Sequence, residues 1–443
     1  MEKQLFRDIP ISIYPPIMLY NKDDIKTIWS TKDENNLDAI LYIHIPFCPR
    51  KCDFCYFTSF SCGKEIMIKY ITRLYEDIKQ YSNNCTVQDK KIKAIYIGGG
   101  TPTFLPEELI KQLFNMILKS FSLSDDCEIC VETRPGPEMT SNKIALLKQL
   151  GVNRISMGVQ SFDNDVLLAN GRHCDAKQSI NLYNSLLAAG FDFINVDIMS
   201  GMNGETETTW ETTINKLVDL QPANITIYKM QRYENSIMAK NSSDKHLKIN
   251  AEKELEQTKI FYNAMNQSGY YLSTSTYSFS KAPKYLHKYR QYRNNGAEII
   301  ALGLSSNGYI NRHVYQSIYD LDSYLNGSPA ISSVYCMDQN ETSMRGFILG
   351  LKSGTIDRSV YKKHFGKDPL ELYSEQISRM VQDQLIVVSP DEISLKNDAI
   401  YYIDHIIRDY IMPEKIRKME NILLQYKNFN IKNSGEKIQN DKR

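Results

Sequence analysis

The sequence predicts an α/β fold: a partial (β/α)6 TIM-like barrel, with an N-terminal arm before it and a small winged-helix-like C-terminal domain after it. Three observations predict this. Apolar strand-like runs alternate with segments of helical spacing six times between residues 39 and 228, joined by short connections, which is the pattern of a parallel sheet wound with crossover helices. The glycine-rich and polar groups suited to chemistry fall at or just past the C-terminal ends of those runs, where parallel sheets and barrels hold ligands. Beyond residue 339 the pattern changes to helices followed by a short hairpin.

The elements follow in order. Residues 1–38 are polar with short apolar islands such as Ile11-Ser12-Ile13-Tyr14-Pro15-Pro16, where the paired prolines forbid helix. Residues 23–30 suit a short helix, and the segment reads as an arm packed over something larger or as a partly ordered extension. Strands are expected at 39–44, 92–97, 127–131, 154–157, 193–198 and 224–228. Helices are expected at 65–81, at 106–121 opened by Pro106, at 141–150 capped by Ser141 and stopped by Gly151, at 175–189 ending at Gly190, and at 208–220. Residues 247–267 have helical spacing, and Ile299–Leu302 is a further apolar strand. Helices then alternate with Leu385–Val388, the Ser389-Pro390-Asp391 turn and Ile393–Leu395. The expected divisions are an arm at 1–38, a barrel with extension at 39–312, a C-terminal domain at 313–411 and a Lys- and Asn-rich tail at 412–443.

Composition narrows the function classes. The 443 residues carry a formal net charge of +1, which gives no reason to expect nucleic acid or an anionic membrane as main partner. Nine cysteines, an odd number in a long chain, read as reduced thiols of a cytoplasmic protein and not as a disulfide framework. Glu2, Lys3, Arg7 and Asp8 leave no room for an apolar leader segment, and no apolar run reaches membrane-spanning length.

The stretch Tyr42-Ile43-His44-Ile45-Pro46-Phe47-Cys48-Pro49-Arg50-Lys51-Cys52-Asp53-Phe54-Cys55 sets three cysteines at Cys-x3-Cys-x2-Cys spacing directly after the first strand. Three thiolates on one short loop can converge on one metal group, and thiolate suits iron–sulfur clusters. With three ligands on a four-iron cube, one iron lacks a protein ligand and is open to a small molecule. The alternative is zinc, which wants four ligands and would need Cys62 as the fourth. Cys127 and Cys130 fall three apart on a strand, so they face opposite sides and read as core.

Two elements later comes Gly98-Gly99-Gly100-Thr101-Pro102, at a strand end and before a helix. Glycines there let a backbone approach a ligand without a Cβ in the way. Glu132, Gln160, Arg172 and Asp197 lie at or beyond the ends of strands three to five. Each alone is an ordinary rim or structural residue. An arginine suits a two-pronged grip on a carboxylate, and an aspartate can accept from two ribose hydroxyls.

With the His-Ile-Pro-Phe-Cys lead-in, the cysteine loop resembles that of the radical S-adenosylmethionine superfamily, and within it the branch containing oxygen-independent coproporphyrinogen III oxidase. The resemblance runs from about Tyr42 to about Ile411. It implies a [4Fe-4S] cluster on Cys48, Cys52 and Cys55. It also implies S-adenosylmethionine contacts from Tyr42, Phe54, Gly99, Gly100, Thr101, Glu132, Gln160, Arg172 and Asp197. Reductive cleavage of that cofactor would release a 5′-deoxyadenosyl radical that takes hydrogen from a small organic substrate, with flavodoxin or ferredoxin as electron donor. No further catalytic residue is assigned.

The chain departs from the oxidase pattern at Phe57, where coproporphyrinogen oxidases of this type carry another cysteine. The Cys-Asp-Phe-Cys-Tyr-Phe wording is similar to the class C methyltransferases, which are thought to bind two S-adenosylmethionine molecules, and Tyr228-Lys229-Met230-Gln231 stands where a second would touch the mouth. Methyl transfer or related carbon–carbon bond formation is therefore the first expectation. The alternatives are porphyrinogen decarboxylation, a heme chaperone and a zinc-stabilised module.

Overall fold

The computed structural model describes residues 14–22, 25–29, 38–230 and 251–414. Six parallel strands form its centre: β1 (Asp38–Ile45), β2 (Lys91–Gly99), β3 (Ser122–Thr133), β4 (Arg154–Gln160), β5 (Phe193–Ser200) and β6 (Asn224–Lys229), adjacent in that order. Both faces of β1 are covered, so its residues read as a nearly unbroken apolar run. Helices α1 (Lys64–Ser82), α2 (Glu107–Ser120), α3 (Ser141–Gln149), α4 (Asn164–Ala169), α5 (Ala176–Ala188) and α6 (Glu207–Leu220) lie between the strands. Their apolar faces, such as Leu109, Leu113 and Ile117 of α2, join the strands in one continuous core.

Local details differ from the sequence expectation for identifiable reasons. Thr140, not Ser141, caps α3, accepting from the Lys143 amide at 3.2 Å. Pro106 precedes the first residue of α2 and does not lie inside its first turn. The short α4, which has no strong apolar period of its own, is held by Asp163, whose side chain accepts from the amides of Asp165 and Val166.

Six strands are not the whole sheet. After α7 (Ala251–Gln267), the short strands β7 (Tyr271–Leu272) and β8 (Ser278–Ser280) add antiparallel beyond β6. On the other flank, β9 (Glu298–Leu302) pairs parallel with β1, followed by antiparallel β10 (Asn307–Ile310), β11 (His313–Ser317) and β12 (Ile331–Cys336). The sheet is open, with β12 and β7 at its edges.

The expected division at residues 312 and 313 falls between β10 and β11 of the main sheet. The main sheet continues to Cys336, and the unit with its own core starts with the helix Gln339–Lys352. That unit adds the helices Arg358–Phe365 and Ser374–Gln382 and a small antiparallel sheet of Thr355–Asp357, Glu392–Leu395 and Ile386–Val388. The described part of the arm joins both units: Asn21 exchanges backbone hydrogen bonds of 2.8 Å with Val334 of β12, and Tyr14 is buried in the second core. Residues 25–29 form a 3-10 turn with Ile28 buried. Residues 11–13 of the apolar island, residues 23, 24 and 30 of the expected short helix, residues 247–250 of the later expected helix and most of the tail lie outside the described residues.

The barrel interior is polar, and its N-terminal end is plugged. Arg154, the first residue of β4, donates to Glu128 of β3 at 2.7 Å, to Asn224 of β6 at 2.7 Å, and to the carbonyls of Tyr285 and Leu286 at 2.9 and 3.0 Å. Glu128 also accepts from the amides of Lys288 and Tyr289 at the start of α8 (Lys288–Asn294), at 3.2 and 3.1 Å. One buried ion pair thus draws α8 across the strand starts, against β1 and β2. Taking away one partner of a buried pair strands the other charge and costs about 3–5 kcal/mol. Arg154→Met is expected to lower the urea midpoint accordingly, and Arg154→Met with Glu128→Gln to recover a measurable part of it.

Candidate functional site

The cysteine loop leaves β1 at Ile45 and is closed on itself. Cys48 N donates to Phe60 O at 3.0 Å, and Phe60 N donates to Pro46 O at 2.7 Å. The loop then lies directly on the glycine turn at the end of β2: Gly100 N donates to Ile45 O at 2.9 Å and Thr101 N to Phe47 O at 2.7 Å. A Cβ at Gly100 would stand 2.6 Å from the Phe47 carbonyl oxygen, and one at Gly99, whose φ is +112°, 2.5 Å from the His44 ring. A Cβ at Gly98 would stand 2.8 Å from the Glu132 carboxylate. The glycines are thus required first by the loop and by Glu132, and only through them by a ligand.

The cysteine loop and the glycine turn border a cavity of about 420 Å³, within the range of roughly 300–1,000 Å³ usual for small-molecule sites. Cys48, Cys52 and Cys55 line one wall as free thiols. Cys48 lies 3.4 Å from the Thr101 hydroxyl, and Arg172 donates to Cys52 Sγ at 3.4 Å. Burial pushes the Cys55 thiol up to about 11 and raises that of Cys48. Among the described residues no three His, Cys, Asp or Glu side chains converge as a single ion would require. Cys62, needed as the fourth zinc ligand, does not line the cavity. Cys127 lies in the apolar core, whereas Cys130 borders a small internal cavity below the main one.

The strand ends supply the opposite wall. Glu132 accepts from the Tyr96 hydroxyl at 2.5 Å and the Gly99 amide at 2.9 Å, and burial raises its carboxyl to about 7 against the pull of the Tyr96 bond. Asp197 accepts from Ser156 at 3.0 Å and Asn195 at 2.8 Å, and Asn195 is itself held by Thr226 at 2.9 Å. Burial raises the Asp197 carboxyl too. Gln160 stands in the left-handed region at φ +78°, and its buried Oε1 has no hydrogen-bond partner among the described residues. The buried Nε of Arg172 is likewise unpaired, while its Nη2 donates to the Gly158 carbonyl. Buried polar atoms are nearly always hydrogen-bonded, so two orphans facing one cavity mark where ligand atoms belong.

Phe54 borders the cavity and packs with Val166, Met202 and Met230. Tyr42, for which a cofactor contact is expected, stands beside His44 and Tyr96. It is not among the lining residues; its hydroxyl meets His44 Nδ1 at 3.0 Å, and its ring stacks on Tyr96 with centroids 6.1 Å apart. His44, to which no chemistry was attached, is buried and neutral, its ring pushed down to about 4 by desolvation.

Sequence reasoning missed the third wall. Tyr277, Asp404 and His405 also line the cavity, and Asp404 is clamped by Lys352 at 2.8 Å and Tyr277 at 3.0 Å. These residues come from separate segments that share no motif, so only tertiary structure assembles them.

The comparisons with known proteins agree with the fold and the loop. Residues 42–217 match the family model of the radical SAM superfamily. Heme chaperone HemW of Lactococcus lactis is 23% identical over 84% of this chain and 97% of its own length. HemW of Bacillus subtilis is 34% identical over 43% of this chain and 49% of its own. The oxygen-independent coproporphyrinogen-III oxidase-like protein HemZ of Bacillus subtilis is 26% identical over 86% of this chain and 69% of its own. Among solved structures, coproporphyrinogen III oxidase (HemN) from Escherichia coli aligns with a TM-score of 0.76 and 19% identity, covering 90% of this chain and 96% of that one, which shows a shared fold. An open parallel barrel with this cysteine loop at its mouth defines a radical SAM protein. Residues 42–217 are a radical SAM domain, and over most of its length the chain is similar to HemN-like proteins in sequence and fold.

The cofactors of this family are a [4Fe-4S] cluster and S-adenosylmethionine. Three free thiols on one wall and two orphaned polar atoms on another fit that pair of groups.

Two predictions follow from the geometry. Gly100→Ala is expected to push the loop off the glycine turn and lose most of the iron taken up on anaerobic reconstitution. Gly63→Ala, where a Cβ meets nothing within 4 Å, should retain it. Glu132 has its folded value raised to about 7 from 4.5, so its contribution to stability is full below 4.5 and is lost as pH rises through 7. Glu132→Gln should therefore gain stability over the parent at pH 8, by up to about 3 kcal/mol, and show no such gain at pH 4.5 in denaturant titrations.

Proposed function

We propose that this chain is a radical SAM enzyme that acts on a tetrapyrrole, in the manner of the relatives named for coproporphyrinogen oxidation or heme handling. The observation that carries the reading is the cavity itself, which brings the three-cysteine wall and the Glu132, Gln160, Arg172 and Asp197 wall face to face. When bound, the cluster and S-adenosylmethionine supply one-electron radical chemistry that no side chain can provide. The chain's part is to bind, orient and exclude water.

In this reading Cys48, Cys52 and Cys55 hold the cluster. The Gly99-Gly100-Thr101 backbone and Glu132 receive the amine of the nucleoside ligand. Gln160 and Arg172 complete the site with their unpaired atoms, and Asp197, already fixed by Ser156 and Asn195, meets the ribose. Glu132 is poised near neutrality, so an approaching cationic amine favours its ionised form. The Asp404 clamp holds the third wall against the barrel and limits solvent entry.

The relatives support this reading over class C methyl transfer with two cofactor molecules. Those reported above carry the names of heme chaperones and oxidase-like proteins, and none is named a methyltransferase. Phe57, in place of the additional cysteine, favours heme handling or a changed porphyrinogen chemistry over authentic coproporphyrinogen oxidation. An electron donor such as flavodoxin or ferredoxin is required, and no helix of the described residues is long and apolar enough to cross a membrane.

The test is mass spectrometry of the products of reduced, reconstituted enzyme with S-adenosylmethionine and coproporphyrinogen, beside a heme titration. 5′-Deoxyadenosine with carbon dioxide supports decarboxylation, and stoichiometric heme binding supports heme handling. Equimolar S-adenosylhomocysteine would restore methyl transfer in place of the tetrapyrrole reading, and either no iron–sulfur absorption or absorption that Cys48→Ala leaves unchanged would remove the radical reading altogether.

A further inference from the structure

Tyr228 is the next-to-last residue of β6, opposite Met199 of β5 and two residues along from the partner of Asp197. The residue lines the main cavity and is 41% exposed. Its hydroxyl is nevertheless fixed from behind. Arg290 of α8 donates from Nη2 to the Tyr228 oxygen at 3.0 Å, and its other terminal nitrogen donates to Ser278 of β8. Arg290 does not line the main cavity; it borders the small internal cavity beneath. A guanidinium has donors only, so the phenol oxygen must accept. With its acceptor side committed to Arg290, the phenol is left to donate its own proton, and no acceptor for it is found among the described residues. The open direction is the cavity.

The charge is also well placed. Arg290 acts on Asp197 and Glu132 as a nearby cation that favours their ionised forms, opposing the burial that raises both. Its planar fork spans two hydroxyls on neighbouring strands, Ser278 and Tyr228, which a lysine could not do with one nitrogen. Ser278 is in register with Thr226, on the strand that carries Tyr228, so the anchor and the anchored ring share one rigid ladder.

We propose that Arg290 is a positioning residue that turns the Tyr228 proton into the cavity, where Tyr228 donates a hydrogen bond to an acceptor of bound S-adenosylmethionine. The plug helix α8 is then part of the cofactor site, although it touches no ligand. This rests on the reading of the cavity given above, and its test separates the two.

The dissociation constant of S-adenosylmethionine is measured on full-length, anaerobically reconstituted protein of matched iron content. Tyr228→Phe is expected to weaken binding about fivefold to tenfold, the effect of one hydrogen bond, in protein that remains folded at the assay temperature. Arg290→Gln should weaken it similarly, Arg290→Lys less, and the double variant Tyr228→Phe/Arg290→Gln no further than Tyr228→Phe alone. If Arg290→Gln does not fold, Ser278→Ala replaces it: releasing one arm of the guanidinium should weaken binding about twofold to threefold in the parent and not at all with Tyr228→Phe. Fully additive losses would overturn the proposal, because Arg290 would then act by a route other than Tyr228. Unchanged affinity in Tyr228→Phe with a clear loss in Asp197→Asn would overturn it while leaving the cavity reading intact. Unchanged affinity in both would overturn the cavity reading and the proposal together.

Discussion

The structure depends on a backbone-to-backbone contact: the cysteine loop rests on the glycine turn with nothing between them. The amides of Gly100 and Thr101 reach the carbonyls of Ile45 and Phe47, and the Cβ positions of Gly99 and Gly100 are filled by His44 and Phe47. Side chains can adjust by changing rotamer; backbone cannot. The relative placement of the thiols and the β2 end is therefore fixed by covalent geometry and two hydrogen bonds. Everything at the mouth is arranged from that fixed pair: Thr101 beside Cys48, Glu132 beneath Gly99, and Arg172 between Cys52 and Gly158.

Below the mouth, charge is handled in layers. At the strand starts Arg154 and Glu128 neutralise each other and seize α8. In the middle, neutral amides and hydroxyls such as Asn195, Thr226 and Ser156 relay hydrogen bonds upward. At the top Asp197 and Glu132 stand as carboxyl groups with raised values, and Arg290 is the cation near them. A barrel filled with apolar side chains would have been simpler to stabilise. Polar filling gives fixed dipoles where a charged nucleoside must be received, at the cost of making each layer dependent on the one beneath.

Much of this was legible in the chain because it is local. The six parallel strands show as apolar runs, since both of their faces are buried, and the cysteine loop and glycine turn are contiguous motifs. Asp197 and Glu132 were legible from their positions at strand ends. What was not legible depends on distant partners. Thr140 outcompetes Ser141 as a cap by one residue of phase. β9 reads as any apolar strand, and only its parallel pairing with β1 places it in the sheet. Tyr42 is expected at the cofactor only from the resemblance and its place beside the cysteine loop; its pairing with Tyr96 of β2 and its bond to His44 are set by tertiary structure. Arg290 and Asp404 lie in segments with no motif, and their roles exist only once α8 and the second core are in place.

The third wall of the cavity has a consequence for how the protein is made. Two of its residues, Asp404 and His405, belong to the unit with its own core, whose members include Tyr14 from the very start of the described chain and residues up to Met412. The cysteine loop emerges from the ribosome long before Asp404 does. Until those residues are made, the wall of Asp404 and His405 is missing from the cavity, and the second core that holds it is complete only when the first and last described segments have met.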